Sequence, residues 1–223
     1  TIVSSELFSQ VARSFGVASE VCLTGFKHIA SLIRENEGKR TFVGGGEESY
    51  GYMVGDFVRD KDALTSTLIF CDMAAEAKVN GSSAMHRLIE LYRRNGLYKE
   101  HLISITKKGK TGAEEISRMM DTFRQNPPSQ FGGEQVIILD DIKSGIRKNL
   151  ATKKESKINL PSSNVLQFYT SAGSKISARP SGTEPKIKFY ISLKSDWNEE
   201  KTLKDQQKAQ EAQIDSIVKD LTL

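Results

Sequence analysis

The sequence has 223 residues, 38% hydrophobic and 27% charged, with a formal net charge of +4. That is the make-up of a globular protein with one large or two ordinary domains. No run of about 18 apolar residues occurs, which excludes a transmembrane helix, and Thr1-Ile2-Val3-Ser4-Ser5 lacks the basic segment and apolar block of a signal peptide.

The first residue is not Met, and the chain opens directly in an apolar stretch, which points to a portion of a longer polypeptide. Cys22 and Cys71 sit in apolar stretches without metal-ligand or redox spacing. Both are predicted to be small buried hydrophobes in a reducing cytoplasm. Charge is uneven, with 11 Lys/Arg to 12 Asp/Glu over residues 1–95 and 21 to 16 over residues 96–223. A small phosphorylated ligand, nucleic acid or a solvated Lys-rich surface would each explain that balance.

In chain order, Ser4 or Ser5 can cap a helix carrying Leu7, Phe8, Val11, Ala12 and Phe15, stopped at Gly16. Val21–Leu23 reads as a short buried strand, and Thr24-Gly25 turns the chain into a second helix with Ile29, Leu32 and Ile33. Thr41–Val43 reads as the next strand. This spacing predicts a βαβ unit and a parallel sheet, with ligand loops beginning at Thr24 and Gly44. Residues 60–95 read as helical with a break near Asn80–Ser83, their apolar residues (Leu64, Leu68, Ile69, Met73) predicted to pack on the sheet. Asn95-Gly96 is a helix stop and the predicted domain boundary.

Beyond it come a strand over residues 102–106, a helix over 111–124 and a strand over 136–139. Residues 151–159 read as an exposed loop, 165–170 and 175–179 as a hairpin, and 186–193 as a cleanly alternating strand. A last helix spans 198–220. The predicted fold is therefore α/β over residues 1–95, with a partial mixed or parallel sheet. A smaller α+β domain over residues 96–223 follows, with an antiparallel sheet and helices on one face.

Two loops could carry chemistry. Gly44-Gly45-Gly46-Glu47-Glu48-Ser49-Tyr50-Gly51 combines backbone freedom with two carboxylates and a hydroxyl, groups that hold sugar hydroxyls. It lacks the Lys-Ser/Thr of a P-loop, and a plain surface turn is the bland alternative. Arg179-Pro180-Ser181-Gly182-Thr183-Glu184-Pro185-Lys186 offers backbone N–H groups, two hydroxyls and a forked guanidinium between stiffening prolines, a pattern suited to phosphate. A hairpin with a surface Arg is its alternative. Lys27, at the turn before the second helix, could contact phosphate or move a proton, or be an ordinary surface Lys. His28 reads as structural.

Together these motifs resemble the α-D-phosphohexomutase superfamily of phosphoglucomutases and phosphomannomutases, over nearly the whole chain. Thr24-Gly25-Phe26-Lys27 is similar to a loop of its third domain, Gly46–Gly51 to its sugar-binding loop, and Arg179–Lys186 to the phosphate loop of its fourth domain. Lys61-Asp62-Ala63 resembles its Lys-Asp-Gly element, with Ala replacing Gly. The resemblance implies that residues 1–95 are part of domain 3 and residues 96–223 domain 4. It implies that Glu47 and Ser49 hold sugar hydroxyls, that Arg179, Ser181, Gly182 and Thr183 hold phosphate, and that Lys27 lies near the reacting phosphate. The implied reaction moves a phosphoryl group between the 1- and 6-positions of a hexose through an enzyme phosphoserine and a sugar 1,6-bisphosphate, with Mg²⁺, in the cytoplasm.

The family's Ser-His-Asn-like phosphoserine loop and its Asp-x-Asp-x-Asp Mg²⁺ loop do not occur in this sequence. Asp140-Asp141 is the nearest metal candidate and lacks the spacing. The implied partners are thus the phosphosugar and the N-terminal domains of the same polypeptide, not nucleic acid or a membrane, and the chain alone is predicted to be inactive. The Glu-Glu-Ser-Tyr variant is closer to the phosphoglucomutase/phosphopentomutase branch, with glucose, mannose or pentose left open. A non-enzymatic anion- or nucleic-acid-binding module is the alternative, and sparse aromatics argue against it.

Overall fold

In the computed structural model, which describes residues 1–107 and 109–221, Ser5 caps helix α1 (Glu6–Ser14) by accepting the Leu7 N–H. Helix α2 (Phe26–Asn36) turns Phe26, Ile29 and Ile33 inward, where they close a small core with Cys22 and Met53. Strands β1 (Gly44–Glu47) and β2 (Gly51–Val54) form an antiparallel hairpin from Gly44↔Val54 to Glu47↔Gly51. Asp62 then caps α3 (Ala63–Val79), and α4 (Ala84–Asn95) follows after a break at Asn80–Ser83. These elements make up one unit, Thr1–Asn95, and the remainder forms a second.

Three expectations for this first unit are corrected. Residues 21–23 form no ladder; Cys22 O accepts a single bond, from Ile2 N–H at 2.8 Å. The strand expected at Thr41–Val43 begins instead at Gly44, so the glycines themselves pair and the sheet is an antiparallel hairpin. Absence of side chains allows this: an added Cβ at Gly46 would stand 2.8 Å from Gly51 O and from the Tyr52 ring. Third, α3 does not bury its large residues. Leu64 is 84% and Phe70 56% exposed, while Ala77 is wholly buried. Apolar residues are spread around the helix rather than gathered in one stripe, and β2 and α4 are the elements it meets most. Cys71, on α3, is exposed for the same reason, and only Cys22 is buried.

The second unit is the larger of the two, reversing the expected order of size. Its strands are β3 (Leu97–Thr106), β4 (Gln130–Phe131), β5 (Glu134–Asp141), β6 (Ile146–Asn149), β7 (Glu155–Lys157), β8 (Leu166–Thr170), β9 (Lys175–Pro180) and β10 (Lys186–Ser195). All pair antiparallel in the order β3-β10-β9-β8-β5-β6-β7, with β4 against β5. Edge strand β7 lies within the stretch expected to be a loop. Its Glu155-Ser156-Lys157 is too polar to read as a strand, yet polar residues suit an exposed edge.

Alternation in β10 sends Ile187, Phe189, Ile191 and Leu193 to one face, each at most 2% exposed. Helix α5 (Gly109–Gln125) brings Ile116, Met120 and Phe123, and α6 (Leu203–Asp220) brings Ile214 and Ile217, to the same core. Phe123 meets Phe168 and Phe189 edge-on, at 5.8 and 6.3 Å between ring centroids. This packing fixes β9 and β10, and with them the loop that joins their ends. Among the described residues no helix is long and apolar enough to cross a membrane.

Candidate functional site

In the first unit the motif segments converge on Phe26. Its ring is 6% exposed and lies so close to the hairpin that a Cβ on Gly51 would stand 2.5 Å from it. Lys61 Nζ lies 5.2 Å from the ring centroid on its face, a cation–π distance, and 3.1 Å from Asp60 Oδ1. The next residue, Asp62, donates its N–H to Tyr52 O on β2 and accepts from the Leu64 and Thr65 N–H groups and the Thr65 hydroxyl. The Thr65 hydroxyl first, with those two N–H groups, holds the Asp62 carboxyl below the ordinary aspartate range. Lys61, which sequence reasoning placed in a motif without a role, thus stands beside the same ring as the two ligand loops.

Glu47, the last residue of β1, reaches the turn before α2: its Oε1 accepts the Gly25 N–H at 2.5 Å. Gly25 caps α2 with φ 120° and has no side chain to contribute, so Glu47 supplies an acceptor at that helix start. One oxygen is committed there, and the carboxylate keeps lone pairs for another donor. Glu48 is spent differently. Its Oε2 accepts from the hydroxyls of Thr1 and Ser4 at 3.3 and 3.2 Å, tying the hairpin tip to the start of α1. The Ser49 side chain is exposed, and Lys27 is exposed on the first turn of α2.

Glu48, Ser49 and Tyr50 form the three-residue hairpin loop, closed by Tyr50 in the left-handed region at φ 61°. A non-glycine residue there carries about 1–3 kcal/mol of strain. In the core with Phe26 and Met53, burial raises the Cys22 thiol pKa above its ordinary value.

In the second unit, Arg179 lies half-buried one residue before the end of β9, and its ladder partner on β10 is Lys188. Directly opposed residues point to one face, so two cations flank the loop that joins the strands, where like charges repel unless an anion lies between them. Lys188 was not among the candidates read from the sequence; the β10 alternation and the loop length could have placed it opposite Arg179. Within the loop, the Ser181 N–H turns back to Lys186 O at 2.7 Å, so Ser181 has only its hydroxyl to offer an anion. The Thr183 N–H points at Ser181 Oγ, at 3.4 Å, and Gly182 is open, with nothing within 4 Å of an added Cβ.

Asp140 and Asp141 do not fit a metal. Asp140 takes both prongs of Arg147 at 2.7 Å, and Asp141 accepts from Arg124 Nε and from the Lys143 N–H. Hydrogen bonding to Asp140 raises the Arg147 pKa above its ordinary value, against the opposing effect of burial. Among the described residues no group of three or more His, Cys, Asp or Glu could hold a metal ion. The residues present thus do not fit the Mg²⁺ that the resemblance implies.

Residues 1–92 match the family model described as phosphoglucomutase/phosphomannomutase, alpha/beta/alpha domain III. A phosphoglucomutase of Staphylococcus epidermidis is 39% identical over 196 residues, covering 88% of this chain and 36% of the relative. That of Staphylococcus haemolyticus is 38% identical with the same coverage, and that of Staphylococcus aureus (strain USA300) is 39% identical over 194 residues, 87% of this chain and 35% of the relative. The chain thus spans little more than a third of the length of these curated relatives.

Among solved structures, the open form of the exocytosis-sensitive phosphoprotein pp63/parafusin, a phosphoglucomutase from Paramecium, is similar in fold. Its TM-score is 0.64 at 17% identity, over 97% of this chain and 34% of that one. Matched by the domain III model over residues 1–92 and similar to these phosphoglucomutases over nearly nine-tenths of its length, the chain belongs to the α-D-phosphohexomutase superfamily, as part of its C-terminal region.

Proposed function

We infer that this chain supplies the substrate-gripping part of a phosphoglucomutase-type enzyme that interconverts hexose 1-phosphate and hexose 6-phosphate. Residues 1–95 serve as the sugar-binding part of domain 3 and residues 96–223 as the phosphate-binding domain 4. Glu47 and Ser49 accept and donate hydrogen bonds to ring hydroxyls, while Arg179, with the Ser181 and Thr183 hydroxyls and Gly182, takes the phosphate that is not being transferred. Lys188 adds a second positive charge opposite Arg179. Lys27, exposed on the helix turn whose Gly25 N–H Glu47 accepts, supplies positive charge for a phosphate approaching that loop. Phosphoryl transfer itself is the work of a phosphoserine outside this chain, and Mg²⁺ would be held there too. A cytoplasmic location fits a phosphosugar enzyme.

The observation that carries this reading is the convergence of three separated segments, residues 24–27, 44–51 and 61–62, on one buried ring, with the Glu47 carboxylate tied to the helix turn that bears Lys27. The test is made on a polypeptide with the full length of the relatives. Arg179→Ala is expected to raise KM for glucose 1-phosphate about 10- to 100-fold, and Arg179→Lys to rescue little of it, because a point charge cannot replace a two-pronged donor. Glu47→Ala is expected to lower kcat/KM about 100-fold or more. The 223-residue chain alone is expected to show no turnover. Wild-type constants in both variants would refute the reading.

A further inference from the structure

We propose that the ring of Tyr50 is a stacking platform for the sugar, a further substrate-contacting residue beside Glu47 and Ser49. The inference rests on the mutase reading and names what would read the apolar face of the hexose.

Tyr50 and Tyr52 flank Gly51 and behave oppositely. The Tyr52 ring packs edge-on against Phe8 at 6.0 Å and borders Gly44 and Gly46, so it holds the hairpin together. Tyr50 is wholly exposed, at 103% of the reference area, and makes no ring contact or hydrogen bond among the described residues. Its ring therefore stabilises nothing in the first unit. Its backbone holds a left-handed conformation, φ 61°, that Gly or Asn would adopt with less strain. A bulky aromatic at the one loop position that disfavours it, without packing to explain it, is read as present for a ligand.

The chemistry of a hexose fits. Its hydroxyls point outward around the ring edge and suit Glu47 and Ser49, whereas its axial C–H groups form an apolar face with slight positive charge. An aromatic face carries negative charge and attracts it. Glu48, tied to Thr1 and Ser4, braces the tip that bears the ring. A mutase must hold its sugar in two opposite orientations. Hydrogen bonds are directional, but an aromatic face is indifferent to which ring carbons lie over it, so one Tyr serves both.

The test compares Tyr50→Phe, Tyr50→Asn and Tyr50→Gly in the full-length polypeptide, measuring KM for hexose 1-phosphate and for hexose 6-phosphate. Tyr50→Gly also relieves the backbone, so it should fold at least as well as wild type, which a thermal midpoint checks. Tyr50→Phe is expected to keep both constants, and Tyr50→Gly and Tyr50→Asn to raise both about 5- to 10-fold. A rise in one direction only would overturn the platform, as would loss of binding in Tyr50→Phe. Should Tyr50→Gly keep wild-type constants while Glu47→Ala and Arg179→Ala lose theirs, the inference falls and the mutase reading stands. Should none of the three matter, the mutase reading fails and takes this inference with it.

Discussion

Gly51 shows what a single residue carries in this site. It must be glycine because the Phe26 ring occupies the space of its side chain, with a Cβ placed 2.5 Å from Cε2. Gly51→Ala would push Phe26 away from the hairpin or the hairpin away from α2, at a cost of about 1–3 kcal/mol. Chemical denaturation of the chain should show that loss in the transition of the first unit, and Gly182→Ala, with open space around it, should leave stability nearly unchanged. Motif chemistry singled out Glu47, Ser49 and Arg179 as candidates in the sequence, because few patterns bring glycines, acids and a hydroxyl together. Which acid does which job was not legible. The bond from Gly25 to Glu47 joins residues 22 positions apart, and the bonds to Glu48 span more than 40. The use of the Ser181 N–H by Lys186 is likewise a property of the folded loop.

Asp62 governs an element rather than a ligand. It anchors the start of α3 to β2 and keeps Lys61 at the ring of Phe26. Its hydrogen bonds depress its carboxyl pKa in the folded state. The stabilisation is therefore complete above the ordinary aspartate range and is lost as pH falls through the depressed folded value. Protection of the Leu64 and Thr65 amides, measured relative to their intrinsic exchange rates, should fall on acidification below about pH 4, modestly because solvent screens the carboxylate. Asp62→Asn, which can still cap, should show no such pH step.

Helices α3 and α4 and the long β10 were legible because capping residues, breaks and strict alternation leave local marks. The buried face of α3 was not, since a helix apolar all round has no periodicity to read. The strands expected at residues 21–23 and 41–43 failed for a different reason. Short apolar runs become strands only when a neighbour pairs with them, and pairing is not written locally.

At the scale of the molecule, two units carry complementary chemistry: acids, a hydroxyl and an aromatic on one, opposed cations and hydroxyls on the other. A hexose phosphate presents both kinds of surface, hydroxyls that suit the one loop and an anion that suits the other. Titration of the isotopically labelled chain with glucose 1-phosphate, followed by the backbone amide signals of Gly44–Gly51 and of Arg179–Lys186, tests this directly. The amide signals of both loops should shift, and Arg179→Ala should abolish the response of Arg179–Lys186. Spectra unchanged in both loops at saturating sugar phosphate would contradict their assignment to sugar and phosphate.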